Sequence, residues 1–223
     1  MSSAADATKP LCGRPTMPRL LPWIALPIYL AIGTAAAVTP TIDGVAKPGE
    51  WAGARREKLV GGGEVWLLRA GNDLYVAVEG SGTGFPSLCV GDADRVEVLH
   101  ASAALGTVAY QRGAKAWSRG PGFEWRVRDL PEPAPTLSTD RESFLKEQRW
   151  LANTSRTGAP FREFRIILDA GRRFLGVVFL STNGMQAAYW PASVNDGCRD
   201  MDLLRGEAPH SVELTPSRWH DIE

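Results

Sequence analysis

The sequence predicts an all-β fold from Val38 onward: an antiparallel β-sandwich, jelly-roll or immunoglobulin-like, with one short inserted helix. Three observations carry this. Apolar and polar residues alternate with period two over most of the chain, turn residues recur about every ten positions, and a single segment breaks into helical spacing.

The first hairpin is formed by "EVWLLRA" and "LYVAVEG", which flank Gly71, Asn72 and Asp73; Gly and Asn tolerate the positive φ of a tight turn. A second pairs "DRVEVLH" with "GTVAYQR" through "ASAAL". In its first strand Val96, Val98 and His100 share one face, and Arg95, Glu97 and Leu99 the other. "FEWRVRD" (Phe123 to Asp129) reads as a further strand. "REFRIILD" and "RFLGVVFLST" follow, joined by "AGR", then "AAYWPAS" and "SVELTP". Phe174 to Leu180 is apolar on both faces and should be a central strand covered on both sides. After the Pro-rich "LPEPAPTLS", the spacing of Phe144, Leu145, Gln148 and Leu151 predicts a helix over Asp140 to Leu151, with Thr139 and Glu142 as a capping box and Trp150 as a core anchor. Gly61 to Gly63 lacks the Lys-Ser or Lys-Thr of a phosphate cradle and is a loop.

The first 37 residues differ in kind. Arg14 and Arg19 precede the apolar "LLPWIALPIYLAIG", and Ala35 to Ala37 form a small-residue end, the three parts of a secretory signal peptide. Cleavage is expected after Ala37, and Met17 is an alternative start. The apolar stretch is too short, and too interrupted by Pro22 and Pro27, for a span of roughly 20 residues. The mature domain is then 38–223, secreted or periplasmic, with no membrane contact after cleavage. Export removes Cys12 and leaves Cys89 and Cys198 in an oxidising compartment, which predicts a disulfide between them.

With 25 basic and 25 acidic residues the chain has no formal net charge, so nothing electrostatic points to nucleic acid. The acidic stretch "VGDADRVEVLH" admits three readings. As a catalytic carboxylate pair it is too local, since such pairs flank a scissile bond from separate strands. As a structural calcium loop, Asp92 and Asp94 offer hard oxygen ligands but lack the regular calcium-loop progression. As a turn, they hydrogen-bond the backbone before a strand. No G-x-S-x-G occurs, and His100, His210 and His220 lie in no partner motif, so no catalytic residue is assigned. The seven tryptophans after Val38 suit stacking on sugar rings, although Trp is also a core residue.

"TIDGVAKPGEWAGA", "VWLLRAGNDLYVAVEG", "DADRVEVL" and "FREFRIIL" occur in the order seen in family 9 carbohydrate-binding modules and their DOMON-like relatives, which the chain resembles over nearly all of 38–223. The resemblance implies a β-sandwich, a structural role for the acidic strand, and packing for Trp51. It implies a non-catalytic carbohydrate-binding domain, accessory to a separate glycoside hydrolase or to an envelope protein. Of the two tryptophans that clamp sugar in the family, the late one falls on Trp190; Cys89, Val90 and Gly91 stand at the early position. The expected sugar site is Trp190 and Tyr189 as platform with Asn195 and Asp196 as hydroxyl partners. Some DOMON-like relatives bind haem b, for which Met185, Met201, His100 and His210 are the available ligand types. A third reading is an envelope structural or interaction module that has lost the sugar site.

Overall fold

The computed structural model describes residues 39–121, 124–129, 137–169, 171–183, 186–201, 203 and 208–222, all within the unit Ala37–Glu223. The expected signal peptide, 1–37, lies outside the described residues. In chain order the strands are β1 (Arg55–Lys58), β2 (Gly63–Ala70), β3 (Asp73–Gly91), β4 (Arg95–Ala101), β5 (Leu105–Arg112) and β6 (Trp117–Arg119). Helix α1 (Leu137–Gln148) follows, then β7 (Trp150–Ala152), β8 (Ala159–Ile167), β9 (Phe174–Ser181), β10 (Ala187–Trp190), β11 (Ser211–Val212) and β12 (His220–Asp221).

The fold is the expected antiparallel β-sandwich, and β3 is its spine. The predicted "LYVAVEG" strand continues without a break through Gly91. Its first half pairs with β2 and β8; its second half pairs with β4 and β9. One strand therefore serves both sheets, β1-β2-β3-β8-β7 and β11-β6-β5-β4-β3-β9, the latter extended by β10 and β12 along β9. The change of partner follows an irregularity between Glu79 and Gly84. The Phe179 ring occupies this bend: a Cβ on Gly80 would come within 2.1 Å of it, and one on Gly84 within 2.5 Å. A bridge between Val60 and Tyr189 ties one margin of the first sheet to β10.

Three apolar clusters follow from the alternation. Val76, Val78, Leu88, Val90, Phe164, Val177 and Phe179 fill the space between the sheets. Cys89, Val96, Val98, Tyr110, Trp117, Val178 and Trp219 cover the other face of the second sheet, under the segment after β10. Trp51, Trp66, Tyr75 and Ala77 do the same for the first sheet. The central, doubly covered strand predicted at Phe174 to Leu180 is β9. Both predicted hairpins are present, and Gly71 supplies a positive φ of 61° in the first.

Two predicted elements need correction. The helix begins earlier and stops at Gln148, so Thr139 sits in its first turn rather than at its cap. Arg149 adopts φ 62°, which ends the helix, and Trp150 and Leu151 become strand residues paired to β8. Trp150 is nevertheless the core anchor expected, fully buried between Phe144 and Phe164. The segment read as "FEWRVRD" is no strand among its described residues. It makes one bridge, Arg126 to Leu105, and Val127 turns it with φ 48°, a conformation unfavourable for a β-branched residue. Phe123 lies outside the described residues.

Candidate functional site

The residues expected to hold sugar are largely consumed by the fold. Trp190 is 5% exposed, packs in the inter-sheet core and lies 4.7 Å from the His220 ring. It has no open indole face, so it is a core residue and not a platform. Tyr189 is half-buried with the Arg199 guanidinium 4.7 Å above its ring. The Asp196 carboxylate is a structural clasp: it accepts hydrogen bonds from the N–H groups of Cys198 (3.1 Å) and Thr215 (2.6 Å) and from Trp219 Nε1 (2.9 Å). Asn195 is exposed. Cys89 and Cys198 form the expected disulfide, with Cα atoms 6.1 Å apart, and it pins this clasped segment onto β3.

Asp92 is a turn residue. Its Oδ1 accepts the N–H groups of Asp94 and Arg95, both at 2.8 Å, closing the β3–β4 hairpin. Asp94 is exposed, and among the described residues no group of three His, Cys, Asp or Glu side chains is placed to hold a metal ion. Of the residues suited to haem, Met185 lies outside the described residues. Met201 is buried in the cluster under the disulfide-pinned segment. His210 is exposed, with Arg119 Nη2 3.2 Å from its Nδ1, and His100 Nδ1 is 2.8 Å from the Ser87 hydroxyl. Burial, then the positive charge of Arg162, push the His100 pKa down to about 3, so this imidazole is neutral at pH 7.

The opening segment Thr41 to Ala54 is held by Glu163, which sequence reasoning missed. Its buried carboxylate accepts the N–H groups of Asp43 (3.1 Å) and Gly44 (2.7 Å) and Trp51 Nε1 (3.1 Å). Burial pushes its pKa up, against these three donors. The "IDG…W" segment is thus a flap fastened to β8, and Trp51 packs edge-on against Trp66 at 5.9 Å.

An accessible polar concavity lies elsewhere, where the β4–β5 hairpin meets α1. A cleft of about 360 Å³ includes Arg95, Glu97, Gln148, Arg149, Asp169 and Arg172 in its lining. A second, of about 210 Å³, adjoins it through Arg95, Glu97 and Gln148 and extends over Thr107, Arg126 and Phe144. Period two places Arg95 and Glu97 here, on the face of β4 opposite Val96 and Val98. Arg172 is the buried hub: Nη1 donates to the carbonyls of Arg149 (2.8 Å) and Ile167 (2.9 Å), and Nη2 to Gln148 O (3.0 Å) and Glu97 Oε2 (2.7 Å). It fastens the end of α1 to β4 and β8. Arg95 Nη2 donates to Glu97 Oε1 at 3.0 Å, and Arg126 pairs with Glu147. Asp169 lies 3.8 Å from Arg149. With Glu124, the groove holds as many carboxylates as guanidiniums and offers both donors and acceptors at no net charge.

Sequence reasoning had placed Arg95 and Glu97 on one face but not Arg172, which arrives from the loop before β9. Comparisons with family models, with curated proteins and with solved structures found no match.

Proposed function

We propose that this chain is an exported, non-catalytic carbohydrate-binding domain that takes a neutral glycan in the groove beside α1. The groove itself carries the reading. Planar guanidinium and carboxylate groups, held by mutual pairing and balanced in charge, suit the donor and acceptor hydroxyls of an uncharged sugar, and the larger cleft falls within the volume usual for small-ligand sites. The order of family-like motifs supports the same class. The platform role expected of Trp190 passes to no tryptophan among the residues that line the two clefts; polar contacts dominate, with Phe144 at the edge of the smaller one.

Glycan-array screening of the domain, repeated with Arg95→Ala, tests this. Arg95 is exposed and leaves the buried Arg172–Glu97 pair in place. Retention of a neutral glycan that the variant loses supports the proposal; silence across the array removes it.

One observation favours a second reading, an envelope scaffold without a sugar site: Trp51, Trp66, Trp117, Trp150, Trp190 and Trp219 are all buried. Proximity labelling in the native envelope that recovers one protein partner, together with a silent array, would favour it.

A further inference from the structure

Along β8, residues 162, 164 and 166 point to one side, and Phe164 and Ile166 belong to the inter-sheet core. Arg162 shares their side and is 0% exposed. Among the described residues its Nε and Nη2 have no hydrogen-bond partner, and Nη1 reaches the Phe161 carbonyl at 3.5 Å. The carboxylate whose charge acts on it, that of Asp129, accepts the Arg156 N–H at 3.1 Å through Oδ2. Asp129 favours the charged guanidinium from a distance without an ion pair to it, and the neighbouring imidazole of His100, bonded to Ser87, is uncharged.

A guanidinium stays protonated at pH 7 even when burial lowers its pKa to about 10, as here. Burying such a charge without a directly paired counter-charge costs several kcal/mol, and buried charges are accordingly paired. Contrast Arg172, also buried, whose two terminal nitrogens make four bonds, one of them to a carboxylate. The unmet half of Arg162 is its Nε and Nη2, an edge whose two donors lie side by side and converge on a single acceptor.

We infer that Arg162 forms a buried site for a small monovalent anion, a halide or the carboxylate of a small organic acid, held against Nε and Nη2. The site is separate from the proposed glycan groove, and Arg162 lines neither of its clefts.

The experiment measures thermal unfolding of the whole domain in sodium chloride, sodium acetate and sodium sulfate at matched ionic strength, beside the chloride NMR line width with wild-type protein. The expected result is a saturable rise in Tm at low chloride or acetate, abolished in Arg162→Met and distinct from the non-saturating rise that sulfate gives by exclusion from the surface, together with protein-dependent broadening of the chloride signal. Acetate that raises Tm and removes the broadening identifies a carboxylate site; broadening that survives acetate identifies a halide site. The line width needs no variant, so a misfolded Arg162→Met leaves the test intact. A Tm that shows no saturable rise with chloride or acetate, with an unbroadened chloride line, would overturn the inference.

Discussion

His100 shows how one residue sets a property of the whole fold. Its unfolded pKa is near 6.5 and its folded pKa about 3, so between these values the unfolded chain binds a proton that the folded chain refuses. Stability from this residue is full above pH 6.5 and is lost as pH falls toward 3. The expected loss between pH 7 and pH 5 is about 2 kcal/mol. Urea denaturation at the two pH values should show it, and His100→Asn should flatten the difference. Glu163→Ala should cost about 2–4 kcal/mol by stranding the N–H donors of Asp43, Gly44 and Trp51; opening of the N-terminal flap would be read as faster hydrogen exchange at Trp51 Nε1. At this scale the sequence was only partly legible. Arg162 and Glu163 are adjacent and both buried, and in "FREFRIIL" only the alternation with Phe164 and Ile166 marks Arg162 as inward. Trp190 misled for the complementary reason: an indole packs in a core as readily as it stacks on a sugar.

At the scale of elements, the disulfide and the end of α1 make the sharpest predictions. Cys89 and Cys198 close a loop of sequence separation 109, so replacing both by Ala should cost about 2–5 kcal/mol, measured as a drop in denaturation free energy. A smaller effect of opposite sign is expected at Arg149. This residue ends α1 with φ 62°, which glycine adopts without penalty, so Arg149→Gly should stabilise the domain by about 0.5–1 kcal/mol despite loss of the weak contact to Asp169. Strand positions and hairpins were readable because periodicity and turn chemistry are local. The passage of β3 from one sheet to the other was not, because it depends on Phe179 meeting Gly80 and Gly84 from a strand almost 100 residues later. The end of α1 was overrun for a similar reason: Leu151 fits helical spacing, but pairing with β8 claims it.

For the molecule as a whole, two sheets sharing a spine leave their outer faces to be covered by irregular chain, and that covering buries aromatic residues that could otherwise stack on a ligand. The flap fastened by Glu163 and the segment pinned by Cys198 bury Trp51 and Trp219. Among the described residues the groove where α1 lies against β4 and β5 stays open, and the proposed function rests on it. The most direct measurement is a backbone NMR titration of the isotopically labelled domain with a neutral oligosaccharide that it retains. Saturable shifts concentrated on Arg95, Glu97, Thr107 and Gln148 and abolished by Arg95→Ala are expected. Shifts centred on Tyr189 and Asn195, unaffected by that substitution, would contradict the proposed function.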